Sequence, residues 1–367
     1  ILDGMQHLRS AEEYRHLAEA AVCRSQADWL VGMNATRAYT TKYFKKLTVG
    51  RVQTPTLAML VERAGQISNF QKEKYFNVEL DCDGIPAVKP KIFDPDEAEQ
   101  LRSRCQGSEA IVTAVKETEK KVKAPKLYDL TTLQREANRI YGMTAKQTLD
   151  TAQSLYEKKL ITYPRTDSQY LTEDMEQTAR NVVRQIYEKY QLTGPFDQPE
   201  QPDVKKVMNN SKVTDHHAII PTMELASCHL GELKSWEEKI LFLIAVHTVM
   251  AMSKDHIYQE TEIEVECQEE IFKAKGKIVL QDGWKLFENC FKNKDRMAIV
   301  DPDQEMKERM PKVTQGQTFY AVAADKTEHF TSPPKPYSED TLLAAMETAG
   351  NKEFDEDTEK KGLGTPA

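Results

Sequence analysis

The sequence lacks several things, and each absence excludes a class of protein. No run of about 18 apolar residues occurs in its 367 residues, which excludes a membrane-spanning helix. Glycine is sparse, at 15 residues with no short period, so collagen-like and linker-like chains are excluded. The six cysteines (Cys23, Cys82, Cys105, Cys228, Cys267, Cys290) lie far apart with no C-x-x-C pair, which argues against zinc and for a reduced, cytoplasmic chain. There is no Walker A loop, so ATP is not expected as a cofactor. No secretory leader is expected from the opening residues. Positive charge is also in deficit. The chain carries 50 Lys+Arg against 58 Asp+Glu, a net of −8, which excludes a generally sticky nucleic-acid coat. What is present, 40% hydrophobic and 29% charged residues, describes a globular chain. Its length predicts two or three domains.

Periodicity changes along the chain. Ser10-Ala11-Glu12-Glu13 is a capping-box pattern, followed by Tyr14, Leu17, Ala21 and Val22 at helical spacing. A second helix is predicted to start at Thr54-Pro55, with Thr54 as N-cap, and to bury Leu57, Leu60 and Val61. From about Tyr75 the period becomes two, through Phe76, Val78, Leu80 and Cys82. The same period returns at Glu260, Glu262, Glu264 and Glu266, and again at Lys273, Lys275 and Lys277. Paired antiparallel, these two strands would set a glutamate row beside a lysine row on a solvated face. Between the β-rich stretches lies a helical block, about 126–254. Thr131-x-x-Gln134 and Thr144-x-x-Gln147 are read as two helix starts separated by Gly142, and strand-like Leu160–Tyr163 follows. This resembles a winged-helix unit. A long apolar helix runs from about Trp236 to Met252, and Asn351–Lys361 reads as a charged, mobile stretch. The order predicts a sheet from which the helical block is looped out.

Four segments could carry chemistry. In Leu160-Ile161-Thr162-Tyr163-Pro164-Arg165-Thr166-Asp167-Ser168, the proline holds Tyr163 extended, so Tyr163 and Arg165 would share a face. A phenol is a poor nucleophile near neutral pH, and a neighbouring guanidinium can stabilise developing phenolate charge and grip a phosphate. A packed strand-end tyrosine beside a surface arginine has the same spacing. In Thr214-Asp215-His216-His217-Ala218, adjacent histidines diverge in direction and no third ligand has suitable spacing, so no metal is expected. A histidine facing a phosphate and a satisfied structural histidine both remain open. Thr48-Val49-Gly50-Arg51-Val52-Gln53-Thr54-Pro55 could cradle a phosphate at a helix N-terminus, though such patterns are common. Arg24-Ser25-Gln26-Ala27-Asp28-Trp29, with Arg37 beyond it, offers basic groups beside an aromatic, which suits a single-strand groove or an ordinary helix surface.

Together, and in order, these segments resemble type IA DNA topoisomerases of the topoisomerase III-like branch. The resemblance rests on Arg24 with Ala27–Arg37, Val49–Pro55, Ile161–Ser168, Asp215–Thr222, and Tyr337-Ser338-Glu339 with Leu342, Leu343, Met346, Glu347 and Gly362-Leu363-Gly364-Thr365-Pro366-Ala367. It implies a multidomain α+β toroid with a helical base domain (1–74 and 334–367), a β arch (75–125 and 255–333) and an inserted, winged-helix-like helical domain (126–254) carrying the tyrosine. It also implies roles. Tyr163 would be the nucleophile that forms a 5′-phosphotyrosine link with one strand. Arg165 would hold the scissile phosphate, and His216 would lie beside the bound strand. Thr48, Val49, Gly50, Arg51, Val52 and Gln53, with Arg24, Asp28 and Arg37, would bind single-stranded DNA.

The family's TOPRIM domain, with its acidic Mg²⁺ site, has no counterpart in this sequence. The chain therefore reads as a piece of a longer protein whose upstream TOPRIM domain would bind Mg²⁺. The expected setting is the cytoplasm, nucleoid-associated if bacterial, with no membrane partner. A tyrosine recombinase would need an Arg-x-x-His unit that is not seen near Tyr163. A non-catalytic single-strand clamp is the other alternative. The charge is unevenly spread: residues 1–74 hold 11 Lys+Arg against 7 Asp+Glu, a net of +4, within a remainder of −12. A local basic groove is thus compatible with an acidic chain.

Overall fold

In the computed structural model, residues 5–6, 8–192, 202–213, 215–288, 311–351 and 362–363 are described. The expected mobile stretch after Asn351 lies outside them. The chain divides into two compact units, one formed by the stretch up to Phe70 with Pro334–Tyr337 and the stretch from Thr341, the other by Gln71–Pro333 with Ser338–Asp340.

The first unit contains helices α1 (Arg15–Asp28), α2 (Asn34–Tyr43) and α3 (Gln53–Ser68), with a π-helical turn at Trp29–Met33 between the first two. At Ser10 the expected capping box forms, the backbone N–H donating to the Glu13 carboxylate at 3.1 Å. The start of α3 departs from expectation. Val52, not Thr54, is its N-cap, because the Val52 carbonyl already accepts from Thr56 N at 3.1 Å. The Thr54 hydroxyl turns back to accept from Gly50 N at 3.1 Å. Pro55 still falls within the first turn, where a missing N–H costs nothing. Leu57, Leu60 and Val61, expected to be buried, are exposed, and no side chain of α1–α3 is buried among the described residues.

The second unit is built on a seven-stranded sheet, in the order β6-β3-β4-β5-β2-β1-β7. Strand β1 (Lys74–Cys82) turns into β2 (Ile85–Ile92) through Asp83 and Gly84, both at positive φ, the conformation of a tight hairpin. Helix α4 (Pro95–Cys105) starts at Asp94, whose carboxylate accepts from Asp96 N at 2.8 Å, and packs Ala98 and Leu101 into the sheet core. The ladder continues with β3 (Ala110–Val122), β4 (His256–Cys267), β5 (Glu270–Gln281), β6 (Thr318–Phe319) and β7 (Ala323–Phe330). The expected charge rows meet across β4 and β5, with Glu262 opposite Lys275, Glu264 opposite Lys273 and Glu260 opposite Lys277. The first two pairs are ion pairs, whereas Glu260 binds Lys120 of β3 and Lys277 lies 4.0 Å from the Tyr258 ring centre.

Strands β3 and β4 are direct neighbours, with Val122 opposite His256, so the 133 residues between those positions leave the sheet and return at adjacent points. Asp255 ties this junction. Its carboxylate accepts from Ala124 N at 3.0 Å and pairs with Lys121 and Lys206 at 3.2 Å each. A Cβ on Gly283 would stand 2.3 Å from the Asp255 carbonyl oxygen, so only glycine fits there.

The looped-out segment contains α5 (Leu130–Tyr141), α6 (Ala145–Glu157), α7 (Glu176–Tyr190) and α8 (Ser235–Ala251). Helix α5 begins two residues earlier than Thr131 predicts, because Asp129 is its N-cap and accepts from Thr132 N at 2.7 Å. Gly142 ends it at φ 66. The Thr144–Gln147 box caps α6 as expected. Apolar α8 runs through the centre of a second core that includes Leu133, Leu155, Ile186 and Ile219. A last helix, α9 (Glu339–Thr348), opens with Glu339 accepting from Ala145 N at 2.5 Å and Asp340 pairing with Arg135 at 2.9 Å.

Candidate active site

Helix α6 ends in a left-handed residue, Lys159 (φ 62), and Leu160 N reaches back to the Leu155 carbonyl at 2.9 Å. This is a Schellman-type stop, and buried Leu160 completes it. The chain emerges from it as the loop carrying Tyr163. One isolated bridge, Ile161 with Pro221, weaves this loop into a neighbouring segment, and a second, Tyr128 with Ile219, ties that same segment to the chain just before α5. Strand-like Leu160–Tyr163 is therefore a single bridge followed by loop rather than a regular strand.

Threonine hydroxyls fasten the weave. Thr162 Oγ1 donates to the Ala218 carbonyl at 2.9 Å and accepts from Ile220 N at 3.0 Å. Buried Thr166 donates to the His216 carbonyl at 3.0 Å. Buried Ser168 donates to the Lys212 carbonyl at 2.9 Å. These bonds bring residues about 50 positions apart into one surface.

On that surface the rings of Tyr163 and His216 lie 4.4 Å apart, tilted by 45°. Tyr156 of α6 meets the Tyr163 ring edge-on at 5.3 Å. Tyr163 is half-buried, so its ring is held while it stays reachable. Arg165 and His216 are exposed, and Arg165 makes no ion pair or hydrogen bond among the described residues. His217 instead points its Nδ1 at the Ala218 carbonyl, 2.9 Å away, a structural role. The loop thus collects an anchored phenol, an imidazole and an uncommitted guanidinium, groups suited to binding and attacking a phosphodiester.

Tyr156, Thr162 and Ser168 belong to this site, and spacing gave no reason to single them out. The partners of Thr162 and Ser168 are remote in sequence, and Tyr156, the penultimate residue of α6, meets Tyr163 only because the chain turns sharply after the helix. Among the described residues, no three His, Cys, Asp or Glu side chains come together as a metal site.

The other predicted residues lie in the first unit. Arg51 Nε pairs with Asp28 at 2.7 Å, which joins the two predicted segments directly. Val49 N donates to Thr36 Oγ1 at 2.9 Å, one residue before Arg37. Arg24, Arg37, Thr48, Arg51 and Gln53 are exposed, while Val49, Gly50 and Val52 are partly covered. A Cβ at Gly50 would meet only the Gln53 side chain at 3.7 Å, so sterics alone do not demand glycine there.

Comparison with known proteins settles the lineage. A family model described as DNA topoisomerase matches residues 12–367. The chain belongs to the DNA topoisomerase family. DNA topoisomerase 3 of Bacillus licheniformis is 39% identical over 363 residues, covering 95% of this chain and 48% of that protein. DNA topoisomerase 3 of Bacillus subtilis is 39% identical over 359 residues, with the same coverage. Among solved structures, full-length topoisomerase I from Thermotoga maritima superposes with a TM-score of 0.64 at 26% identity, covering 89% of this chain and 53% of that one. This topoisomerase chain therefore spans about half the length of the curated relatives it matches. Among its described residues, no helix is long and apolar enough to cross a membrane.

Proposed function

We propose that the chain is the strand-binding and strand-cleaving body of a type IA topoisomerase, working in the cytoplasm with a TOPRIM domain outside this sequence. The observation that carries this reading is the packing of Tyr163 against His216 beside an Arg165 that has no partner among the described residues. Arg165 would neutralise one phosphate of a single strand and hold it over the phenol. The Tyr163 oxygen then forms a bond to phosphorus while the bond to the 3′-oxygen breaks. The phenolic proton is lost, the departing 3′-oxygen is protonated, and the strand's 5′ end stays on Tyr163. Reversal of the same exchange reseals the strand. Because the phosphotyrosine conserves the bond energy, no nucleotide hydrolysis is needed.

His216, in ring contact with Tyr163, would orient the phenol and border the strand. The stretch Thr48–Gln53, with Arg24, Asp28 and Arg37, would line the groove that receives the strand, the Arg51–Asp28 pair fixing its wall. A helical base, a β arch and the looped-out block would close a toroid around the passing strand. Mg²⁺ would be held by the TOPRIM domain, since the described residues of this chain bring no three His, Cys, Asp or Glu side chains together.

The test joins this chain to an upstream TOPRIM domain and supplies Mg²⁺ with 5′- or 3′-labelled single-stranded DNA. A denaturant-resistant adduct on the 5′ phosphate, lost in Tyr163→Phe and reduced at least tenfold in Arg165→Ala, is the expected result. An adduct that survives Tyr163→Phe overturns the assignment of the nucleophile. Strand binding with no adduct under any of these conditions favours a non-catalytic clamp.

A further inference from the structure

The geometry points to a second contact for the single strand beside the active site, formed by Tyr170, Lys126 and Lys212. It deepens the proposed function and rests on it. Lys212 Nζ lies 4.9 Å from the centre of the Tyr170 ring and Lys126 Nζ lies 5.7 Å from it. The two ammonium groups come from segments 86 positions apart, yet both converge on one half-buried ring. Neither lysine has a carboxylate partner among the described residues. Elsewhere in the looped-out segment Lys158 and Lys206 are both paired with acids.

The arrangement is built, not incidental. The buried Ser168 hydroxyl bonds the carbonyls of Lys212 and Tyr170, at 2.9 and 3.3 Å. The Lys126 carbonyl accepts from His247 Nε2 at 2.7 Å, and the His247 ring stacks on Tyr128 at 3.7 Å. Tyr170 is also linked to the catalytic loop. Its carbonyl accepts from Ala218 N at 2.9 Å, and the Ala218 carbonyl is the acceptor for Thr162, next to Tyr163. Ala218 thus joins the Tyr163 loop to this patch. Asp129, the acid that holds Gln169, is already committed to Gln169 and to the first turn of α5.

Two uncompensated ammonium groups around an aromatic ring match one ligand chemistry, a phosphodiester backbone with unpaired bases. Exposed cation–π contacts are weak enough to be exchanged for contacts to phosphate. A lysine drawn to a phosphate frees a ring face on which a base can stack. The patch would hold the strand on one side of the scissile phosphate and keep that phosphate in register with Tyr163.

The experiment measures binding of the full chain to a fluorescein-labelled single-stranded oligonucleotide by anisotropy, across a salt series. Removing both lysines (Lys126→Ala with Lys212→Ala) is expected to lower the slope of log affinity against log salt by about 1.4, at about 0.7 per phosphate contact. Tyr170→Ala is expected to weaken binding at least about fivefold, and Tyr170→Phe to restore most of that loss. Both lysines are exposed, so the double variant decides the matter even if Tyr170→Ala unfolds. Arg165→Ala keeps this inference separable from the reading beneath it. Binding weakened by Arg165→Ala, with the salt slope unchanged in the lysine variant, overturns the patch and leaves the active-site reading standing. An unaltered chain that does not bind the oligonucleotide overturns both.

Discussion

Glu237 shows how a single side chain can hold two helices in a fixed relation. It is 3% exposed, yet its carboxylate accepts from Lys158 Nζ at 2.6 Å, Ser154 Oγ at 2.7 Å and Lys234 N at 2.9 Å. Burial alone would raise its pKa, but the bonds from Lys158, Ser154 and Lys234 outweigh that and hold the carboxyl down at about 2. The folded value lies below the unfolded one. Its contribution is therefore fully present above about pH 4.5, the usual carboxylate range, and is lost as pH falls through about 2. Glu237→Gln should cost on the order of 2 kcal/mol at neutral pH, because Lys158 loses its counter-charge beside a buried site. Denaturant titrations of both forms should show the difference narrowing between pH 4.5 and 2. A constant difference over that range would refute the linkage. None of this was legible in the sequence, where Glu237 reads as a first-turn helix acid. Tyr163, Arg165 and His216 could be singled out because each sits in a short motif of neighbouring residues, whereas Tyr156 and Tyr170 gain meaning only through contacts that folding creates.

At the scale of elements, periodicity carried the sheet and the long helices. It placed β1 and α8 to within about two residues and paired the charge rows of β4 and β5, though both strands run three or four residues beyond them. Helix starts were less legible. Thr54 and Thr131 resemble N-caps, but Val52 and Asp129 hold those positions, since a cap is chosen by which carbonyl first finds a donor. The Tyr163 loop was the least predictable element. Its extended backbone finds hydrogen-bond partners in Ile220 and Thr222, and the Thr162 hydroxyl finds one in Ala218, so its form depends on bonds to residues about 60 positions away. Thr162 is the centre of that dependence, and its hydroxyl both donates and accepts. Thr162→Val should leave the buried Ile220 N–H without this acceptor and cost about 1–3 kcal/mol. Thr162→Ser should retain most of the stability. If the weave positions Tyr163 against His216, Thr162→Val should also lower adduct yield in the reconstituted enzyme at a temperature where the fold persists. Equal melting temperatures for the two variants would show that the hydroxyl does not hold the loop.

At the scale of the whole molecule, stability is unevenly distributed. The second unit has two cores, one under the sheet and one around α8, where every residue from Ile240 to Met252 is screened from water. In the first unit, α1–α3 bury no side chain among the described residues, and Leu17, Trp29 and Val61 are more than half exposed. Helices without a packed apolar face derive little stability beyond their own hydrogen bonds. They should therefore open by local fluctuation, while α8 opens only with the global unfolding of its unit. Hydrogen exchange measured by mass spectrometry should rank Ser235–Ala251 slowest, with Arg15–Asp28 and Gln53–Ser68 faster by orders of magnitude. Residues 1–74 also hold the local positive charge, and Arg51 meets Asp28 where the predicted groove segments join. Adding single-stranded DNA should slow exchange between Asp28 and Gln53, and raising salt should reverse the effect, because the bound phosphates release their counterions to a more concentrated solution. Equal protection in α1 and α8 without DNA would contradict the uneven distribution. Protection that appears on DNA addition but resists salt would contradict the electrostatic groove while leaving that distribution intact.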